Sequence, residues 1–341
     1  MSGPRKHLLL KRLALLAFSL VVVLVGIEIF LRVQHAKRQE ALGIATKADG
    51  NGRVVHSDVP GLFYEFVPSP PEVNSRGFPD VEHALEKPEG VFRIVIIGDS
   101  IAAGHGMPRE DRFTRLLETM HNERCPDRPI EVIVLARSGY CTSQELVLLR
   151  QYAMEYDPDL ILWSYVLNDP ADPFYHGSNG ELMAAYNPPC HLSVLLRKGL
   201  IGLAELFADS RADEDFHRKL HLLYRDRIVH AFAEIGRFSK ENDVPIVVVL
   251  HPAFLLDPLW TERADLPYPW QDVHDDLRAI IEPNGMQVVD IQEAITGEPP
   301  ADFVLPDDPW HPSLKGHRRA AEWLLEKLDL PAADALEGAS E

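Results

Sequence analysis

Cysteine is scarce in this chain: three residues, Cys125, Cys141 and Cys190, occur among 341. An odd number leaves at least one free thiol and permits at most one disulfide, which excludes a fold held together by a disulfide framework. None of the three lies in an obvious catalytic motif. We therefore expect buried structural thiols.

Basic residues are in short supply beyond the N-terminus. The formal net charge is -18, yet the first 38 residues carry seven Lys and Arg against one acid. The other 303 residues therefore hold 27 basic and 51 acidic side chains. Such a surface repels polyanions, so we expect no nucleic-acid partner.

Only one long hydrophobic run is present. Four basic residues precede Leu13, and the run extends to Leu31 with Glu28 as its one charge. A helix of that length spans roughly 28 Å, close to the thickness of a bilayer core. A buried globular helix or a cleaved signal peptide are the alternatives, but the run has no polar face and no small-residue cleavage site follows it closely. We predict a signal-anchor in residues 1–33 of a single-pass inner-membrane protein, with the body of the chain outside the cytoplasm.

The remainder divides into three parts. Residues 34–90 are rich in proline and are predicted to form a tether and N-terminal arm. Residues 331–341 are small and acidic and are predicted to form a disordered tail. In residues 91–330, apolar runs alternate with helical patterns, which predicts an α/β domain: a three-layer α/β/α, doubly wound, flavodoxin-like parallel sheet of five strands. The predicted strands are Val91–Ile97, Ile130–Leu135, Leu160–Trp163, Ile246–Leu250 and Met286–Val289.

Helical patterns fill the connections. An apolar stripe predicts a helix over 109–124, Thr142 and Glu145 form a capping-box pattern for the next, and the last helix begins near Ser313. An insertion at about 170–244 interrupts the alternation. It is either a packed helical excursion or a lid or substrate wall, and the sequence favours neither.

Polar residues follow the ends of three predicted strands. Ser100 comes after the first, Gly139 after the second and Asn168 after the third, while Asp308 precedes His311 by three residues near the C-terminus. Ligands bind beyond the carboxyl ends of parallel strands, so these residues are expected to converge. A serine hydroxyl needs an adjacent base, for which His311 is suited, and Asp308 would orient the imidazole.

Other candidates rank lower. His105 is expected to be a solvated loop residue rather than part of the pocket, and His251 either faces the same edge or makes a structural hydrogen bond. Asp307, Asp308 and His311 lack a second group of ligands with recognisable spacing, so we expect no metal.

The short segments around Ser100, Gly139, Asn168 and His311 resemble, in their order along the chain and in their sequence context, those of the SGNH hydrolases, also called the GDSL esterase/lipase superfamily. The similarity runs from about Val91 to Leu328. The upstream segment NSRGFPD is similar to the NSxGFRD segment of bacterial membrane-tethered members, with Pro79 in place of arginine, and Val166 stands where that family usually has glycine. The blocks that carry the resemblance are Gly98-Asp99-Ser100, Gly139, Asn168-Asp169 and Asp308-Pro-Trp-His311.

The resemblance implies a catalytic triad of Ser100, Asp308 and His311. It also implies an oxyanion hole formed by the amides of Ser100 and Gly139 and the side chain of Asn168, with no cofactor and no metal. The expected function is a membrane-anchored serine hydrolase that cleaves an O-acyl (carboxylic) ester, of an acetylated glycan or a lipid, through an acyl-serine intermediate. Two alternatives stay open: an extracytoplasmic O-acyltransferase that uses the same triad, and a non-catalytic glycan-binding or scaffold protein.

Overall fold

The computed structural model describes residues 4–42, 54–174, 182–207, 216–254 and 266–331. The chain separates into two compact units, Met1–Tyr64 with Phe174–Phe207, and Glu65–Pro173 with Ala208–Glu341. The predicted boundaries after residues 33, 90 and 330 stay predictions. Parts of the predicted tether (43–53) and insertion (175–181 and 208–215), and nearly all of the predicted tail (332–341), lie outside the described residues.

The described residues form helices and strands that alternate along most of the chain. The helices are α1 (Pro4–Leu42), α2 (Ser100–Ala103), α3 (Phe113–Arg124), α4 (Thr142–Gln151), α5 (His191–Phe207), α6 (Phe216–Asn242), α7 (Gln271–Ile281), α8 (Ile291–Ile295) and α9 (Leu314–Lys327). The strands are β1 (Val54–His56), β2 (Tyr64–Phe66), β3 (Phe92–Gly98), β4 (Ile130–Ala136), β5 (Leu160–Tyr165), β6 (Ile246–Leu250), β7 (Gln287–Asp290), β8 (Val304–Leu305) and β9 (Asp308–Pro312).

In the first unit, the long helix α1 packs beside α5. Glu28 accepts hydrogen bonds from the backbone N–H groups of His191 (2.9 Å) and Leu192 (2.7 Å). These amides belong to the first turn of α5 and have no partner within their own helix, so the carboxylate caps it. Glu28 is also paired with Arg32 at 2.8 Å.

The second unit contains the predicted five-stranded sheet. Its strand order is β4-β3-β5-β6-β7, and all four strand pairs are parallel. The prediction of a doubly wound sheet is confirmed. Because the order reverses at β3, the carboxyl ends of β3 and β5 flank the point where ligands bind in folds of this kind.

Successive side chains of a strand point to opposite faces, which divides the core in two. On one face, Ile94 and Ile96 of β3 belong to an apolar cluster with residues of α3 and α9, such as Leu117 and Leu324. On the other face, Tyr165 of β5 contacts Phe232 of α6, with ring centroids 5.6 Å apart. Helices therefore cover both faces, and the continuous apolar runs of the sequence follow from that burial.

The NSRGFPD segment covers the edge strand β4. Asp80 is 2% exposed, and its Oδ2 accepts a hydrogen bond from the backbone N–H of Val134 at 2.8 Å. The same carboxylate meets His83 (3.1 Å) and Arg115 (3.2 Å). An unpaired strand edge is a site of unwanted association, and this segment partly occupies it. At the departure from the NSxGFRD pattern, the carbonyl of Pro79 accepts a hydrogen bond from Arg112.

Two local expectations need correction. The helix α4 is capped one residue earlier than expected: Cys141 is its N-cap, and its N–H donates to Gln144 Oε1 at 3.3 Å, whereas Glu145 is fully buried. All three cysteines are free thiols, but only Cys141 is buried and the other two are partly exposed.

Candidate active site

Ser100, His311 and Asp308 lie in one hydrogen-bonded line. The Ser100 hydroxyl donates to His311 Nε2 across 2.9 Å, and His311 Nδ1 donates to Asp308 Oδ2 across 2.6 Å. Asp308 and His311 both lie on β9, in an antiparallel hairpin with β8, just before the N-cap of α9. A nucleophile, a base and an orienting carboxylate in this arrangement suit acyl transfer to the serine.

The turn after β3 holds Ser100 in place. A Cβ on Gly98 would lie 2.9 Å from the side chains of Ala102 and Ser164, so only glycine permits this close approach. Asp99 is the N-cap of α2, and its Oδ1 accepts from the N–H of Ile101 at 2.9 Å. The other oxygen, Oδ2, lies 3.2 Å from Ser100 Oγ.

The other predicted oxyanion residues follow the adjacent strands. Gly139 lies three residues beyond β4 and has a φ of 82°, a left-handed conformation that favours glycine. Asn168 lies three residues beyond β5, in a turn closed by a hydrogen bond from the N–H of Ala171 to its carbonyl at 3.1 Å. Since β4, β3 and β5 are neighbours, both residues follow the same edge of the sheet as Ser100.

His105 is an exposed turn residue, as expected, with 42% of its side chain accessible, and it also lies against the catalytic candidates. Its ring centroid is 4.4 Å from that of His311, and its Nε2 is 3.9 Å from Asp308 Oδ2. One ligand atom from each of these three residues lies within 4.8 Å of the others, close enough to share a metal ion. Both ring nitrogens of His311 already bond to Ser100 and Asp308, so a metal there would disrupt that line.

Three buried carboxylates lie behind these turns and were not anticipated from the sequence. Asp99, Glu145 and Asp169 are each at most 1% exposed. Burial raises the pKa of all three, and their mutual repulsion contributes to raising the pKa of Glu145 and Asp169 well above the usual range. For Glu145, the signal in the sequence is its position directly before the apolar run Leu146–Leu149. The capping-box interpretation had already given that position another role.

Two histidines behind the site are buried and neutral. His251, whose role was left open, bonds through Nε2 to Ser164 Oγ at 3.0 Å, so its contact is structural. His317 Nδ1 accepts from the N–H of Phe113 at 3.2 Å. Desolvation lowers the pKa of each to about 3. Neither one is suited to proton transfer near neutral pH.

A group of aromatic side chains packs around Trp310. Trp310, between Asp308 and His311 in the chain, is 44% exposed. Its ring centroid is 5.9 Å from that of Phe216 and 5.6 Å from that of His217, both in the first turn of α6. His217 in turn contacts Trp270 at 5.2 Å. The first turn of α6, which belongs to the predicted insertion, thus contacts Trp310, while the rest of α6 packs beside the sheet.

Comparison with known proteins gives one family. The model of the GDSL-like Lipase/Acylhydrolase family matches residues 96–319, about two thirds of the chain. The matched range begins in β3 and includes Ser100 and His311. No curated protein matches the sequence.

Three solved structures with similar folds are distant from this chain in sequence. LAE5, described as an alpha/beta hydrolase enzyme from the metagenome of Lake Arreo, Spain, is 20% identical, with a TM-score of 0.43, over 69% of this chain and 94% of its own. Axe2, an acetylxylan esterase from Geobacillus stearothermophilus, is 17% identical, with a TM-score of 0.43, over 72% and 97%. The psychrotrophic esterase EstA from Pseudoalteromonas sp. is 15% identical, with a TM-score of 0.41, over 69% and 94%.

Proposed function

Because the chain belongs to the GDSL-like lipase/acylhydrolase family and is a carboxylic ester hydrolase, we propose that it cleaves an O-acyl ester through an acyl-serine intermediate while anchored in a membrane. The observation that carries the mechanism is the line from Ser100 Oγ through His311 to Asp308, with contacts of 2.9 and 2.6 Å.

The chemistry follows from those atoms. Ser100 Oγ attacks the ester carbonyl while His311 Nε2 accepts its proton, and Asp308 stabilises the resulting imidazolium. The oxyanion of the tetrahedral intermediate accepts hydrogen bonds from the Gly139 amide and the Asn168 side chain, with the Ser100 amide as the third donor. Collapse expels the alkoxide, which takes the proton from His311. Water then attacks the acyl-serine with His311 again as the base, which releases the acid and restores Ser100.

The helix α1 supports the anchor. Within the described ranges, one helix, His7–Leu42, is long and apolar enough to cross a bilayer. Its most apolar window has a mean hydropathy of 2.7, and none of that window is buried. Gln39 of the same helix donates hydrogen bonds to the carbonyl of Ala184 (2.8 Å) and to Asn187 Oδ1 (3.1 Å). Cleavage of α1 as a signal peptide would remove these partners and the Glu28 cap of α5.

The charges that flank α1 support an extracytoplasmic catalytic domain. Four basic residues precede the apolar run and three follow it, namely Arg32, Lys37 and Arg38, and the first membrane helix usually sets the orientation with its more basic flank inside. The substrate would then be an ester outside the cytoplasm, such as an acetylated glycan or a lipid. Trp310 and Phe216 would contact the group beside the ester bond.

The test uses the full-length chain in detergent with p-nitrophenyl esters of increasing acyl length, beside the Ser100→Ala variant. We expect turnover by the parent, loss of at least roughly a thousandfold in kcat/KM in the variant, and a serine adduct of acyl mass on the parent peptide after rapid quenching. Transfer of the acyl group to an added sugar in preference to water would favour the acyltransferase alternative. A folded parent with neither turnover nor adduct would refute the mechanism.

A further inference from the structure

The carboxylate cluster is defined as Asp99, Glu145 and Asp169. Each of these acids lies close in the chain to one predicted oxyanion donor. Asp99 directly precedes Ser100, and Asp169 directly follows Asn168. Glu145 lies in the first turn of α4, which begins three residues after Gly139. The three acids thus lie behind the three turns that the proposed mechanism uses.

The turns after β4 and β5 are joined at this cluster. The backbone N–H and the hydroxyl of Thr142 donate to the carbonyl of Asp169 at 3.0 and 3.1 Å. Asp169 Oδ2 accepts from the N–H of Val166 at 2.8 Å, which closes the turn that leads to Asn168. The first turn of α4 is therefore bonded directly to the turn that contains Asn168.

Half of the carboxylate oxygens of the cluster accept no hydrogen bond from the residues that the structure describes. Among the described residues, no group donates a hydrogen bond to either oxygen of Glu145 or to Asp169 Oδ1. An ionised carboxylate buried without donors is expensive, on the order of several kcal/mol. Two carboxyl groups can satisfy each other only when a proton lies between them.

The surrounding groups do not favour charge on Glu145. Asp99 and Cys141, the N-cap of α4, raise the pKa of Glu145, and Glu145 in turn raises the pKa of Asp169 and Tyr165. The imidazole of His311 has the opposite effect on Asp99 and lowers its pKa, but burial outweighs this effect and the pKa of Asp99 is raised. The cluster is therefore stable with protons on its carboxyl groups rather than with several negative charges.

We propose that Glu145 is a positioning residue that stays protonated in the working enzyme and, as a neutral donor to the carboxylate cluster, holds the turns of Gly139 and Asn168 in place. This inference rests on the proposed function, since it assigns those two turns to the oxyanion hole. Glu145 does not itself contact the substrate.

Two substitutions of Glu145 distinguish the effect of its hydrogen-bond donor from the effect of its charge. Glu145→Gln keeps a donor and cannot ionise, whereas Glu145→Leu keeps most of the volume and removes the donor. We expect the Gln variant to keep kcat within about twofold of the parent at pH 7, and the Leu variant to lose about a hundredfold in kcat with little change in KM, because misplaced donors weaken the transition state more than substrate binding. At alkaline pH, where Glu145 of the parent would lose its proton, the Gln variant should keep its activity to a higher pH than the parent.

A matched control is Asp80→Asn, which also neutralises a buried carboxyl group. Contacts with His83, the Val134 amide and Arg115 lower the pKa of Asp80 despite its burial, so this group is ionised. Its neutralisation should lower the melting temperature by roughly 5 °C or more, whereas Glu145→Gln should leave it nearly unchanged. An equal loss of kcat in the Gln and Leu variants, or a Leu variant with the activity of the parent, would overturn the proposal.

Infrared spectroscopy of the parent provides a measurement that does not depend on catalysis or on the folding of any variant. The folded protein at pH 8 should show the carbonyl band of a protonated carboxylic acid, diminished in the Gln variant where that variant folds. Absence of the band from the parent would refute a protonated cluster even if the enzyme is an active esterase. A parent that shows the band but no ester turnover would reject the proposed function and keep the protonated cluster.

Discussion

The ring of His105 packs against that of His311 in a tilted arrangement, with ring centroids 4.4 Å apart and planes inclined by 36°. The two histidines are more than two hundred residues apart in the chain. His105 stands in the turn after α2, and its Nε2 also approaches Asp308 Oδ2 at 3.9 Å. The turn that presents Ser100 therefore also presents an imidazole beside the proposed base.

This pairing predicts reversible inhibition by Zn²⁺. Two imidazoles and a carboxylate are ligands that zinc prefers, and occupancy would take His311 and Asp308 out of the reaction. We expect added Zn²⁺ to inhibit ester hydrolysis, chelation to restore it, and His105→Gln to raise the concentration needed for half inhibition. Equal sensitivity of the parent and the variant would exclude His105 as a ligand.

Asp308→Asn should keep the fold and lose most of the activity. The asparagine would not stabilise an imidazolium at His311 and would favour the wrong tautomer of its ring. A loss of roughly a thousandfold to ten thousandfold in kcat is expected near pH 7, measured by steady-state hydrolysis. A loss of less than tenfold would mean that Asp308 is not the orienting group.

Asn168→Ala tests the oxyanion hole. Loss of one donor typically reduces kcat by about a hundredfold to a thousandfold and leaves KM close to its original value. A suitable control is Asn122→Ala, since the Asn122 side chain bonds to the backbone of Ile130 (2.9 and 2.8 Å) and should affect stability rather than turnover. If the two variants had the same kcat, Asn168 would have no part in the chemistry.

Trp310→Ala should weaken substrate binding. The exposed ring packs beside Phe216 and belongs to the residue that precedes His311 in the chain, so its removal should raise KM for esters with a bulky alcohol more than for small ones. Trp323→Ala, at the edge of the core on α9, is the matched control and should leave KM unchanged. The comparison uses a series of esters with one acyl group and alcohols of increasing size.

The free energy of unfolding should fall as the pH drops from about 6.5 to about 3. His251 and His317 have pKa values of about 3 when folded and about 6.5 when exposed, so the unfolded chain binds more protons in that interval. Each histidine contributes a slope of about 1.4 kcal/mol per pH unit there. The nearby charges do not prevent this, since His317 faces Arg112 and His311, and His251 faces His317, His274 and Asp290.

Urea unfolding at pH 4 and pH 7 checks this slope. His317→Gln should reduce the difference between the two pH values, because it removes one group that must be protonated on unfolding. His83→Gln is an informative contrast, since Asp80 and Glu131 raise the pKa of His83 and its protonation stabilises the fold as the pH falls. If the free energies of unfolding at pH 4 and pH 7 differed as much in the His317→Gln variant as in the parent, the lowered pKa of His317 would be contradicted.

The sequence by itself determined the sheet and the chain positions of the site. A strand buried on both faces needs a continuous apolar run, so β3 and β6 were recognisable to within one residue, and the polar residues that follow such strands are placed at its edge by connectivity alone. The long apolar run of α1 was equally evident, because a helix without a polar face has few other environments.

The contacts that the residues of the site make depend on the tertiary structure. The approach of His105 to His311, the contact of Phe216 with Trp310, and the burial of Glu145 beside Asp99 and Asp169 all join residues far apart in the chain. Such distances depend on how helices pack on the sheet, and local periodicity contains no information about them. Glu145 illustrates this point: one position before an apolar run fits an exposed helix cap as well as a buried acid, and only packing distinguishes the two.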